Sequence, residues 1–184
     1  MKFTESQLTH CKSNDAKSQR ELYELYKVKI MGLCRRYTKN KEEAEDVFQE
    51  SFIRVFQNIQ QVTDVDHIEQ WIKRIAVNTA INYYYKNRRH QFVEERNGYH
   101  HQNDEYELIL SRFSDEILIA VINQLPDGYR IVFSMHEVEG YSHAEIGEML
   151  HISESTSRSQ LNRAKQALRC KLKTFDVLKY EKYA

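Results

Sequence analysis

The sequence predicts an all-α protein made of two small helical domains joined by an acidic linker. Among its 184 residues are one proline and five glycines, too few turn residues for a many-stranded sandwich or barrel. Apolar side chains instead recur at three- and four-residue steps, the spacing of one buried helix face. Charge separates the pieces. The chain sums to zero, with 27 basic and 27 acidic side chains, but residues 1–92 carry +4, residues 93–119 carry -5 and residues 120–184 carry +1. The acidic stretch is polar and lacks helical periodicity until its end, so a linker is expected at 93–113 between domains at 10–92 and 114–175.

In the first domain, Leu22, Leu25, Tyr26, Ile30, Leu33 and Tyr37 keep helical spacing. Ala44, Val47, Phe48, Ser51, Phe52, Val55, Phe56 and Ile59 continue it in a second helix, which leaves Asp46, Gln49 and Glu50 together on the opposite side. After a loop over residues 60–66, a third helix is expected from near Ile68 to Arg89.

The second domain should open at Ser114, an N-cap with Asp115 and Glu116 in the first turn, where carboxylates suit the helix dipole. Pro126 then starts a helix that runs to about Val138, ahead of the break at Gly140. Ser142 and Glu145 form a capping box for a short helix with Ile146, Met149 and Leu150 on one face. A tight turn at His151-Ile152 follows, and Ser153 caps a longer helix buried along Ser157, Leu161, Ala164, Leu168 and Leu172. A short helix, a tight turn and a longer helix make the spacing of a helix-turn-helix.

Composition and charge exclude several classes. No stretch approaches the roughly 18 apolar residues of a membrane helix, and MKFTESQLTHCK has no signal-peptide core, so a cytoplasmic protein is expected. Cys11, Cys34 and Cys170 are odd in number and widely spaced, and they read as reduced thiols. No phosphate loop, HExxH or GxSxG is present, no cofactor is implied, and the protein is not expected to be an enzyme. His100-His101 falls in the linker and reads as a solvated pair, while His136, His143 and His151 flank the helix-turn-helix as phosphate contacts or as helix edges.

Two surfaces point to DNA. The last helix exposes Ser155, Thr156, Arg158, Ser159 and Gln160 in its first turns, with Arg163, Lys165, Arg169, Lys171 and Lys173 beyond; residues 154–184 hold 8 basic against 3 acidic side chains. Short hydroxyl, amide and guanidinium groups reach base edges in the major groove and cations hold phosphates, so a reading helix is favoured over a mere complement to the helix dipole. On the third helix, Arg74, Asn78, Asn82, Tyr85 and Arg89 form one stripe. Amides and aromatics of that kind can engage unstacked bases, although tyrosines at a core margin would give the same pattern.

The strings AEDVFQESFIRVF, WIKRIAVNTAINYYYKNRR and LPDGYRIVFSMHEVEGYSHAEIGEMLHISESTSRSQLNRAKQAL, with the helix before the first, cover most of residues 15–173. In order and spacing they resemble regions 2 and 4 of extracytoplasmic-function (ECF) sigma factors, small sigma-70 family subunits of bacterial RNA polymerase. The resemblance implies that Asp46, Gln49, Glu50 and Phe52 dock on the clamp helices of the polymerase's largest subunit, with the flap of the second-largest subunit as a further contact. It implies that the 60–66 loop with Trp71, Lys73, Arg74 and Asn78 captures a flipped base of the -10 element, and that Ser155, Thr156, Arg158, Gln160 and Arg163 read the -35 element. The other partner that the resemblance implies is an anti-sigma factor, of a kind that can be membrane-bound. Ser157 stands where the family usually has an apolar residue, and Gln160 where a basic one is common. The alternative from the residues alone is a dimeric helix-turn-helix repressor or activator with the first domain as sensor.

Overall fold

The computed structural model describes residues 3–87 and 115–181, and the chain divides into two compact units, Met1–Gln91 and Phe92–Ala184. No strand occurs among the described residues, and no helix among them is long and apolar enough to cross a membrane. The expected linker 93–113, with His100 and His101, lies outside the described residues, as do Arg88, Arg89 and the expected cap Ser114.

The first unit contains α1 (Glu5–Lys12), α2 (Ala16–Tyr37), α3 (Lys41–Asn58) and α4 (Ile68–Asn87). Each of the first three starts on a side chain that accepts a backbone N–H: Thr4 from Gln7, Asp15 from Ser18 and Asn40 from Glu43. The apolar faces of α2, α3 and α4 meet in a core of Leu22, Ile30, Leu33, Val47, Val55, Ile68, Ile72 and Val77, all nearly or wholly buried. Burial of each such side chain contributes about 1.5–3 kcal/mol.

Helix α1 was not among the elements expected from the sequence, and it moves the start of the unit ahead of residue 10. Its signal is a Thr-x-x-Gln capping box at Thr4–Gln7, and it buries Leu8 and Cys11. Burial pushes the Cys11 thiol up to about 11 and the Cys34 thiol to about 12, so neither is a ready nucleophile. The expected 60–66 loop is partly ordered as two 3₁₀ turns, Ile59–Gln61 and Val65–His67.

The second unit contains α5 (Asp115–Ile122), α6 (Asp127–Phe133), α7 (His143–Leu150) and α8 (Glu154–Glu181). Pro126 caps α6, and the chain continues helically to Val138 as expected, but its last five residues, Ser134–Val138, wind as a π turn closed by Glu139 N–H donating to the Ser134 carbonyl at 3.0 Å. Gly140, at φ +79°, then reverses the chain where a side chain would be strained. Val121, Leu125, Ile131, Met135, Ile146, Leu161, Leu168 and Leu172 form the core. Arg130 is also buried, and its guanidinium meets Asp127 at 3.0 Å.

Candidate nucleic-acid interface

In the second unit, α7, a short turn and α8 form the helix-turn-helix. The capping box predicted at Ser142 and Glu145 is present, and His151 closes α7 in the left-handed conformation at φ 51°. The turn is tight because Gly147 lies against it: Ile152 N–H donates to the Gly147 carbonyl at 3.0 Å, and a Cβ on Gly147 would stand 2.8 Å from the Ile152 carbonyl oxygen. Ser153 then caps α8, its Oγ accepting from Thr156 N–H at 3.1 Å and lying 2.9 Å from the Ser155 hydroxyl and 2.8 Å from that of Thr156.

The seven side chains expected to read the -35 element divide into two groups. Ser155, Thr156, Arg158 and Ser159 are exposed, with Arg158 ion-paired to Glu154 one turn back. Gln160, Arg163 and Lys165 are half-buried and turn toward α6 and the π turn. The Gln160 amide lies over Gly128, Arg163 Nη1 donates to the Tyr129 hydroxyl at 3.4 Å, and Lys165 Nζ meets Glu137 at 2.9 Å. The first group faces solvent, and the second ties α8 to the rest of its unit.

Ser157, on the core side of α8, is fully buried, and its Oγ lies 2.8 Å from His143 Nδ1. The His143 ring stacks on His136 with centroids 4.4 Å apart. Nothing in the sequence alone pairs residues 143 and 157.

In the first unit, Arg74, Asn78, Asn82 and Tyr85 are all exposed along α4, so the stripe predicted from their spacing is one surface; Arg89 lies outside the described residues. Trp71 and Lys73 are half-buried beside it. Lys73 meets Glu69 at 3.3 Å, Glu69 meets Lys29 at 2.8 Å, and these cations, Lys29 foremost, hold the Glu69 carboxyl below its usual range. The Tyr84 and Tyr85 rings lie 5.4 Å apart near the helix end. Helix α1 braces the loop ahead of α4: Lys12 Nζ donates to the Val62 carbonyl at 2.5 Å, Gln60 Nε2 to the Lys12 carbonyl at 2.6 Å, and Val65 N–H to Glu5 Oε1 at 3.2 Å. Glu5 and Lys12 were not read from the sequence as part of any site.

On α3, Asp46, Gln49 and Glu50 are exposed together, with Glu50 meeting Arg54 at 2.7 Å. Phe52 does not join them. It is 5% exposed and packs edge-on against Tyr23 at 4.9 Å and beside Phe48 at 5.0 Å. The apolar residue that does stand beside the acidic patch is Ile53, 51% exposed. The reason is helical geometry: one residue turns the helix by about 100°, and Ile53 follows Asp46, Gln49 and Glu50 at seven, four and three residues, while Phe52 follows Phe48 at four.

Residues 22–90 match the family model for sigma-70 region 2, and residues 115–168 match sigma-70 region 4. The ECF RNA polymerase sigma-E factor of Haemophilus influenzae is 30% identical over 170 residues, covering 86% of this chain and 89% of that one. The chain belongs to the ECF sigma factors. The ECF RNA polymerase sigma factor SigW of Bacillus subtilis is 29% identical over 173 residues, with 88% of this chain and 92% of the relative covered. A solved structure of CnrH in complex with the cytosolic domain of CnrY shares the fold, with a TM-score of 0.50 at 18% identity over 91% of this chain and 96% of CnrH. As an ECF sigma factor, the protein acts in promoter-directed initiation of transcription. The match of region 2 to α2–α4 removes the reading of the first domain as the sensor of a dimeric repressor.

Proposed function

We propose that this sigma factor divides promoter recognition between its two units, with domains at 10–92 (extended by α1) and 114–175 and a linker at 93–113. Ser155, Thr156, Arg158 and Ser159 enter the major groove at the -35 element, and Gln160, Arg163 and Lys165 flank them and set the pose of α8. The single observation that carries this reading is the exposure of four short or forked polar groups in the first two turns of a helix-turn-helix second helix. An arginine paired to guanine is worth about 1–3 kcal/mol of discrimination.

In the first unit, the 59–67 segment and Trp71 receive an extruded base of the -10 element. Lys73, Arg74 and Arg89 hold the strand's phosphates, and Asn78, Asn82 and Tyr85 engage unstacked bases. Extrusion costs a few kcal/mol, which aromatic stacking at about 1–3 kcal/mol per base offsets. Opening of the duplex follows from this preference for single strands.

Core RNA polymerase docks on the α3 face of Asp46, Gln49 and Glu50, with Ile53 in place of Phe52 as the apolar contact, against the clamp helices of the largest subunit; the second unit meets the flap of the second-largest subunit. An anti-sigma factor competes for these surfaces. With no net charge, the free protein lacks the uniform basic coat that gives strong nonspecific DNA affinity, and tight promoter binding therefore depends on the polymerase. Run-off transcription from a promoter library with core polymerase tests the assignment: initiation is expected only when the protein is added and only from templates with a defined -10 and -35 pair. Initiation indifferent to both elements would overturn it.

A further inference from the structure

The contact between His143 and Ser157 is peculiar to the junction of the two helices of the helix-turn-helix. Ser157 is completely buried in a face otherwise made of Leu161, Ala164, Leu168 and Leu172, and its hydroxyl meets His143 Nδ1 at 2.8 Å. A buried hydroxyl without a partner is costly, so the two side chains specify each other. Ser157 sits among the exposed readers, between Thr156 and Arg158 in the chain and on the opposite side of the helix. On a helix about 10–12 Å across, a rotation of about 10° moves the tip of a reading side chain by about 1 Å, enough to spoil a hydrogen bond to a base edge.

We propose that His143 is a positioning residue for -35 reading: through Ser157 it fixes the rotation of α8, and its stack with His136 makes that contact sensitive to protons. The inference rests on the assignment of α8 as the -35 reader. Titratable and charged groups face His143 from two elements. From the π turn come His136, stacked at 4.4 Å, and Glu137, whose carboxylate is already shared by His136 Nδ1 at 2.9 Å and Lys165 Nζ at 2.9 Å. From α8 come Arg158 and Glu154, which pair with each other. Partial burial first, then His136 and Arg158, hold the His143 imidazole below its ordinary value. The neutral ring is the form that fits, and acidification favours a charged ring that moves out toward solvent and releases Ser157.

The test uses the full chain with core polymerase on templates that share one -10 element and carry a randomised -35 element, with the sequenced run-off products giving the preference for favoured over average sites. Ser157→Ala and His143→Ala should each flatten that preference by about threefold to tenfold, the ratio expected of one hydrogen bond. The double variant should be no flatter than either single, and His143→Asn, whose amide stands near the place of Nδ1, should recover most of the loss. As pH falls from about 7 to below the ordinary imidazole value of 6.5, the parent should lose preference and His143→Asn should not, because asparagine does not titrate. Additive losses in the double variant, or an unchanged preference in Ser157→Ala and His143→Ala, would overturn the proposal. If His143→Ala fails to fold, the comparison of His143→Asn with Ser157→Ala decides by the same criterion: the proposal requires His143→Asn to keep the preference that Ser157→Ala loses, and equal preference in the two overturns it. Arg158→Ala separates the two levels of inference: if it too leaves the preference intact, the assignment of α8 fails, whereas if it alone flattens the preference, only the role of His143 fails.

Discussion

Substitution of Gly147 by alanine should destabilise the second unit even though alanine is the better helix former. Gly147 lies inside α7, where replacing glycine by alanine ordinarily gains about 1 kcal/mol. Here the added Cβ would lie 2.8 Å from the Ile152 carbonyl oxygen, well inside the roughly 3.5 Å that non-bonded heavy atoms keep. The obstructing atom is backbone, so a rotamer change cannot relieve the clash; the turn through His151, already left-handed at φ 51°, must shift and carry the start of α8 with it. Overpacking of this kind costs about 1–3 kcal/mol, which leaves a net loss of up to about 2 kcal/mol after the helix gain. Gly32, within α2, is the control: its Cβ would meet only the end of the Arg36 side chain, at 3.9 Å. Urea unfolding followed by circular dichroism should show Gly147→Ala less stable and Gly32→Ala more stable, the latter by up to about 1 kcal/mol, and run-off from a -35-dependent promoter should fall only in Gly147→Ala. A Gly147→Ala protein that unfolds at higher urea and initiates normally would refute the reasoning, because the turn would then have absorbed the Cβ at no cost.

Phe52→Ala should cost about 3–5 kcal/mol of stability, since the ring packs against Tyr23 and Phe48 in the core, whereas Ile53→Ala should change stability by no more than about 0.5 kcal/mol and weaken capture by core polymerase in a pull-down. Asp46→Ala should likewise reduce polymerase capture with unaltered unfolding, as the side chain is exposed on the polar face of α3. Arg158→Ala should weaken -35-dependent initiation by the equivalent of about 1–3 kcal/mol while leaving -10 preference as it was, measured by run-off on matched templates. The Asp15 carboxyl is held below its ordinary 3.8 by the Ser18 backbone N–H and then the Ser18 hydroxyl, so its stabilising contribution is present above that value and is lost as pH falls through the lower folded one. Asp15→Asn retains a capping oxygen without the titration, and its urea midpoint should fall less than the parent's between about pH 5 and about pH 2.

Much of the fold was legible because it follows local rules. The apolar spacing of α2, α3 and α8 became their buried faces, and the capping box at Ser142 and Glu145 formed as read, because both signals act within one or two helical turns. The same rules contain α1 and the exposure of Ile53, through the Thr4–Gln7 box and the helical angle between Phe52 and Ile53; those two features were present in the sequence and were not read from it. The polar stripe on α4 was legible for the same reason, since Arg74, Asn78, Asn82 and Tyr85 are neighbours on one helix.

By itself, then, the sequence determined the helices, their buried faces and the surfaces that a single helix presents, and with segments of +4, -5 and +1 it hid a DNA-binding protein behind a net charge of zero. Tertiary structure decided what depends on contacts between elements. It turned Gln160, Arg163 and Lys165 toward α6 and the π turn and left Ser155, Thr156, Arg158 and Ser159 outward, although all seven are polar residues of one helix. It also gave Ser157 a partner 14 residues away in His143, and braced the 59–67 segment with Glu5 and Lys12 from α1. Periodicity assigns a side chain to a face of its own helix; which neighbour that face meets, and which polar group satisfies a buried hydroxyl, is set only when separate helices pack together.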